Sequence, residues 1–245
     1  MPKALPPCLV GSTLLLAASA CAHSPPEAGQ AAHAGTGHHS AGHHAEGVSH
    51  HGAMPHAFDN ADQWAERFED PARDAWQKPD EVLAALALLP DARVADVGSA
   101  TGYFAVRLAR ALPQGRVYGV DLEPDMARYL TERARREGLS NLTPVLAAPD
   151  DARLPEPVDL VLVVNTYHHI GEREAYFRRL LGTLKPHGRV AIIDFKQGQP
   201  MGPPEQYRLP PGQVRQELES AGYRLAGEHG FLPNQYFLVF SRAGA

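Results

Sequence analysis

The chain has 245 residues, 44% of them hydrophobic and 21% charged, enough to bury a core and too much for a chain disordered throughout. Its 23 Lys and Arg against 28 Asp and Glu give a net charge of −5, so there is no basic excess for a dedicated nucleic-acid surface. Both cysteines, Cys8 and Cys21, lie near the N-terminus, which excludes disulfides, thiolate metal sites and a cysteine nucleophile from everything that follows.

Residues 1–57 differ from the rest. They hold one basic residue (Lys3), two acidic ones (Glu27 and Glu46) and nine of the 13 histidines. Lys3 ends a short basic opening, and the apolar run from Leu9 through Leu14, Leu15 and Leu16 to Ala18 is too short to span a bilayer as a helix but suits a signal sequence. Ala18-Ser19-Ala20-Cys21 resembles the lipobox of bacterial lipoproteins, in which the cysteine becomes the lipidated N-terminus; Ala18 stands where leucine is commoner. Residues 1–21 are therefore expected to be a signal peptide and Cys21 a lipid anchor on the periplasmic face. Residues 22–57, rich in Ala, Gly, Ser, Pro and His, cannot offset the entropy of ordering and read as a disordered tether. Its pairs His38-His39, His43-His44 and His50-His51 can gather nickel, zinc or copper, or are merely tolerated in a linker. A start at Met54 would instead give a cytoplasmic product.

From residue 58 to 245 the pattern is α/β. Asp59 or Asn60 can cap a helix carrying Trp64 and Phe68, and a second helix is expected from Pro79 to Leu89. Strands at about 94–98, 116–121, 141–147 and 158–165 alternate with helices at about 101–112, 124 onward and 172–184. A strand at 189–195, a helix at 213–221 and strands at 223–227 and 235–240 complete a doubly wound, mostly parallel sheet of seven strands with right-handed crossovers. Arg133, Arg135 and Arg136 read as one solvated helix face, and the Pro- and Gly-rich stretch 197–212 as a lid or a covering loop.

In such a sheet ligands bind beyond the carboxyl ends of the strands. There the first strand runs into Asp96-Val97-Gly98-Ser99-Ala100-Thr101-Gly102, whose glycines let the backbone turn sharply and approach a ligand. Ala100 and Tyr103 spoil a dinucleotide fingerprint. The segment resembles instead the Asp/Glu-x-Gly-x-Gly-x-Gly motif of class I S-adenosylmethionine-dependent methyltransferases, with Ala100 in place of the middle glycine. Val120-Asp121-Leu122 after the second strand, Asp150-Asp151 after the third and Leu184-Lys185-Pro186-His187-Gly188 before the fifth resemble the same family in the same order. The resemblance, over about residues 80–242, implies a Rossmann-like methyltransferase fold. It also implies roles at the cofactor: Asp96 toward the ammonium group, the amides of Ser99–Gly102 toward the carboxylate, Asp121 and Leu122 at the ribose, and Asp150 or Asp151 at the adenine, with Asn165 beside them.

Beyond the fourth strand, Asn165-Thr166-Tyr167-His168-His169 stands where this fold places groups facing the methyl acceptor. His168 or His169 can serve as a general base or hold a metal, or one simply bonds to loop backbone. The sequence as a whole reads as an enzyme that methylates a small molecule, with no nucleic-acid partner. S-adenosylmethionine is made in the cytosol, however, and export would separate the domain from it. That tension keeps open a second reading: an exported metal- or ligand-binding lipoprotein on a non-catalytic methyltransferase fold.

Overall fold

A computed structural model of the chain describes residues 58 and 60–244. The expected signal peptide, Cys21, Met54 and the six paired histidines at 38–51 lie outside the described residues.

Seven strands form one sheet in the order β3-β2-β1-β4-β5-β7-β6. Strands β1 (Arg93–Val97), β2 (Arg116–Asp121), β3 (Leu142–Leu146), β4 (Val158–Val164) and β5 (Leu184–Phe195) are parallel. Strand β7 (Gln235–Arg242) is antiparallel to both β5 and β6 (Tyr223–His229), its two neighbours. The Val/Leu run of β4 fills both faces because helices cover both. On one face α3 (Pro79–Leu86), α4 (Tyr103–Ala111) and α5 (Pro124–Arg136) pack over Val94, Val117, Leu160, Leu162 and Ile193. On the other, α6 (Arg173–Leu181) and α7 (Pro211–Ser220) pack over Val97, Val120, Val161, Val163 and Ile192.

Several boundaries depart from the sequence reading. Helix α3 ends at Leu86, not Leu89, because Ala87 turns left-handed at φ 47°, and Leu89 is left exposed. Helix α6 stops at Leu181, since Leu184 already pairs with Val158 as the first residue of β5. The Lys-Pro-His-Gly segment is thus part of the fifth strand, in which the register shifts opposite Val158–Leu160, and a Cβ on Gly188 would press on Leu184 and the Val158 carbonyl. Two helices precede α3: α1 (Ala61–Phe68), capped by the Asn60 side chain, and the five-residue α2 (Arg73–Gln77), which periodicity did not announce.

Arg133 corrects the expectation of a solvated arginine face. Its side chain is 13% exposed, pairs with Glu69 at 2.6 Å and Glu137 at 2.8 Å, and donates to the Thr101 carbonyl at 2.9 Å. Glu69 also accepts from Thr101 Oγ1. Arg133 and Glu69 thus tie the chain after α1 to the glycine loop, while Arg135 and Arg136 are exposed.

Candidate functional site

A cavity of about 800 Å3 opens at the carboxyl ends of β1, β2, β4 and β5, beneath α1 and α2. Asp96, Gly98, Ser99, Ala100, Asp121, Leu122, Asp150, Asn165, His168 and His169 all line it. Gly102 and Asp151 do not. Gly102 (φ 98°) serves packing, since a Cβ there would strike Leu130 of α5. Asp151 caps a turn by accepting from the Arg153 amide at 2.8 Å. Of the two aspartates after β3 it is therefore Asp150 that meets the cavity; Arg179 pairs with it and holds its carboxyl below the usual range.

The loop after β1 is built for close approach. Gly98 has φ 75°, and any Cβ would overlap the Thr166 side chain. Ala100 adopts φ 46°, the left-handed turn at which the related motif has glycine. Asp121 fixes this loop: one oxygen accepts from the Ala100 amide at 2.8 Å and the other from the Glu123 amide at 3.0 Å. Each oxygen keeps a further lone pair for a ligand hydroxyl. Burial raises the Asp121 pKa, and those amides oppose the rise.

Asp96 is 3% exposed, and burial pushes its carboxyl up to about 7, against the attraction of Arg73. Arg73, at the start of α2, lies over the Tyr103 ring, 3.7 Å from its centroid, and burial lowers its guanidinium to about 10. It donates to the Phe68 carbonyl at 3.0 Å and to Gln77 at 3.3 Å, yet its Nε is buried without a partner. Buried donors are rarely left so, and this one belongs to a cation on the cavity wall beside a buried carboxylate. Such a pair matches the two charged ends of an amino acid, the kind of arm that S-adenosylmethionine carries. The residues present thus fit that cofactor: Asp96 and Arg73 for its amino-acid end, Asp121 for hydroxyls, and the Gly98 turn for backbone contact.

Arg73 was not singled out in the sequence, and neither were the groups that hold it. Gln77 donates to Gln235 at 2.6 Å, Gln235 to Asn165, and Asn165 back to Gln77 at 3.2 Å, a closed ring of three amides. The ring fastens α2 to the ends of β4 and β7. Asn165, held at φ 55°, spends its side chain there while still lining the cavity.

At the β4–β5 end the structure separates the two histidines. His168 is 5% exposed, and its Nδ1–H donates to the Asp194 carboxylate at 2.9 and 3.0 Å; its backbone amide donates there too, at 3.2 Å. Asp194, one residue before the end of β5, is itself buried. With Nδ1–H given to Asp194, Nε2 of the neutral ring is the nitrogen left to accept a proton, and His168 lines the cavity. His169 packs its ring 4.2 Å from that of His168 and meets Phe58 edge-on. An acid at the carboxyl end of the fifth strand was the available signal for Asp194.

The stretch 197–210 folds over the cavity, which Met201, Gly202, Pro203 and Pro204 line. Buried Arg208 pins it by donating to the carbonyls of Lys196, Gln199 and Pro203. Of lid and covering loop, this geometry is that of a covering loop.

Residues 94–188 match the sequence model of the family described as "Methyltransferase domain". The chain is 30% identical over 154 residues to the protein-L-isoaspartate O-methyltransferase of Aeropyrum pernix, covering 58% of this chain and 54% of that one. It is 32% identical over 130 residues to the trans-aconitate 2-methyltransferase of Rhodopseudomonas palustris, covering 51% and 46%. The chain spans about half the length of the curated relatives it matches. A SAM-dependent methyltransferase from Aquifex aeolicus superposes with a TM-score of 0.69 at 25% identity, over 74% of this chain and 98% of that one. Residues 94–188 thus match a methyltransferase-domain model, within a sheet and helices that have the Rossmann-like fold of class I methyltransferases.

Proposed function

We propose that the protein transfers a methyl group from S-adenosylmethionine to a small-molecule acceptor. The observation that carries this reading is one cavity walled by the glycine loop, Asp96 with Arg73, and Asp121 together. When bound, the cofactor supplies an electrophilic methyl carbon on a sulfonium. Asp121 would hold the ribose hydroxyls, Asp96 the ammonium and Arg73 the carboxylate, with Leu122, Met126 and Asp150 on the adenine side. The protein's own contribution is alignment, worth up to about 7–11 kcal/mol in favourable systems, and exclusion of water beneath α1 and the covering loop. His168, oriented by Asp194, takes the acceptor's proton, a contribution of roughly 10²–10⁴-fold.

Calorimetry on the full chain tests the cofactor reading. S-adenosylhomocysteine should bind at micromolar concentration, and no binding at millimolar concentration would refute the function. Arg73→Met should weaken that ligand but spare methylthioadenosine, which lacks the amino-acid arm.

For the N-terminal segment the proposal rests on sequence order alone: a lipid-anchored envelope protein with acylated Cys21 and a metal-gathering tether. The mass of the native N-terminus decides between this and a cytoplasmic start at Met54. A chain lacking residues 23–56 should lose nickel, copper or zinc binding while keeping its cofactor affinity.

A further inference from the structure

Away from the glycine loop and Asp121, the cavity is rich in aromatic rings. Both tryptophans of the chain line it, Trp64 from α1 and Trp76 from α2. Trp64 stacks on Phe68 with centroids 5.3 Å apart, and Phe58 meets Trp64 edge-on at 5.0 Å. Phe58 then meets His169, and His169 meets His168, so an unbroken run of rings leads from Phe68 to His168. Trp76 and Phe195, their ring centroids 5.9 Å apart, line the same cavity, as does Met201. Walls of flat π faces select a flat, apolar guest.

The His168–Asp194 pair narrows the chemistry of that guest. A base oriented by a buried carboxylate is useful only to an acceptor with a proton to lose, which sets aside carboxylate acceptors. An imidazole can take a proton from a phenol, of pKa about 10, but poorly from an aliphatic alcohol, which is about as weak an acid as water.

We propose that the acceptor is a planar aromatic hydroxyl compound of the phenol class, bound between these rings and ionised by His168. In that step the O–H bond breaks and its electron pair stays on oxygen. The proton passes to His168 Nε2, and the resulting imidazolium keeps its Nδ1–H on Asp194, which acts as the positioning residue. The assignment rests on the methyl-transfer reading only in making the phenolate the group that receives the methyl. Binding and ionisation need no cofactor.

The test uses para-nitrophenol, whose anion absorbs visible light, titrated with the full chain at about pH 6 without cofactor. Binding should quench tryptophan fluorescence and raise the ratio of ionised to neutral bound probe by about tenfold, the equivalent of one pKa unit. His168→Gln should abolish the rise and Asp194→Asn should diminish it, with quenching retained in both. Trp64→Leu should weaken binding while leaving the ionisation of bound probe intact. Undiminished S-adenosylhomocysteine affinity in each variant establishes that it is folded. The proposal is overturned if no phenol binds at millimolar concentration, if ionisation persists in a folded His168→Gln protein, or if cyclohexanol or an aromatic amine competes as well as phenol does. Phenol ionisation in a protein that fails to bind S-adenosylhomocysteine would sink the methyl-transfer reading and leave this site standing.

Discussion

Asp96→Asn isolates what a buried carboxylate costs the empty fold. The folded pKa of Asp96 is about 7 against 3.8 for the unconstrained group, and burial is the main cause. A raised acid favours the fold while protonated. Its contribution is full below 3.8 and is lost as pH rises to 7, because the unfolded chain gives up the proton first. From pH 5 to pH 8 the native state should lose roughly 2–3 kcal/mol through this group alone. The attraction of Arg73 is already contained in that figure, since it lowers the folded value. Asparagine cannot ionise, so the stability difference between variant and parent should move in the variant's favour by that amount across the interval. Urea unfolding of both proteins at pH 5 and pH 8, without ligand, measures it directly. Shared groups that do not interact with Asp96 cancel in the comparison, and the repulsion of Asp121 is already contained in the raised Asp96 value. A difference that stays constant, or that turns against the variant at pH 8, would refute the burial argument. The same variant should bind S-adenosylhomocysteine about 10- to 100-fold more weakly at pH 8, for loss of a charge-assisted bond worth roughly 1.5–3 kcal/mol.

Four further outcomes follow from the same site. Parental affinity for S-adenosylhomocysteine should fall as pH drops below about 7, up to about tenfold per pH unit, because Asp96 must be ionised to meet an ammonium group; a flat calorimetric profile between pH 5 and 8 would count against Asp96. Asp121→Ala should weaken the ligand at least about tenfold and lower the melting temperature, since the Ala100 and Glu123 amides lose their acceptor as well. Gly98→Ala should destabilise by at least about 2 kcal/mol through its left-handed angle and the collision with Thr166; a loss below about 0.5 kcal/mol in urea would mean the turn relaxes freely. Ala100→Gly should be neutral or stabilising by up to about 1 kcal/mol, as it removes a Cβ from φ 46°, and marked destabilisation would show that the alanine side chain packs.

How much of this was legible beforehand depended on the range of the interaction. The strands and the glycine loop announce themselves locally: a Val/Leu run such as Val158–Val164, or Gly98 and Gly102 bracketing a turn, carries its reason in adjacent residues. Helix α2 does not, being five residues long and held by Gln77, whose partner Gln235 is 158 positions away. Arg133 looked like surface because its helix is rich in charge, and only the fold brings Glu69 and the Thr101 carbonyl to it. His168 and His169 are equivalent as letters. Asp194, 26 positions on, makes them unlike. Arg73 and Trp76 belong to the cavity for the same tertiary reason, since nothing in Arg-Asp-Ala-Trp-Gln marks a ligand wall.

The antiparallel strand β7 has a consequence for how the domain comes into being. Its side chains alternate between the two cores, Phe237 and Val239 into one and Tyr236, Leu238 and Phe240 into the other, and its first residue closes the amide ring that secures α2. Of all the described elements it is synthesised last, yet it sits one strand in from the edge. Translation therefore delivers the wedge after the walls. Until Gln235–Arg242 emerges, β5 offers its apolar length to any passing strand, both layers lack part of their filling, and Arg73 has no fixed perch. A chain shortened before Gln235 would lose part of both cores and the amide ring that secures α2 on the cavity wall.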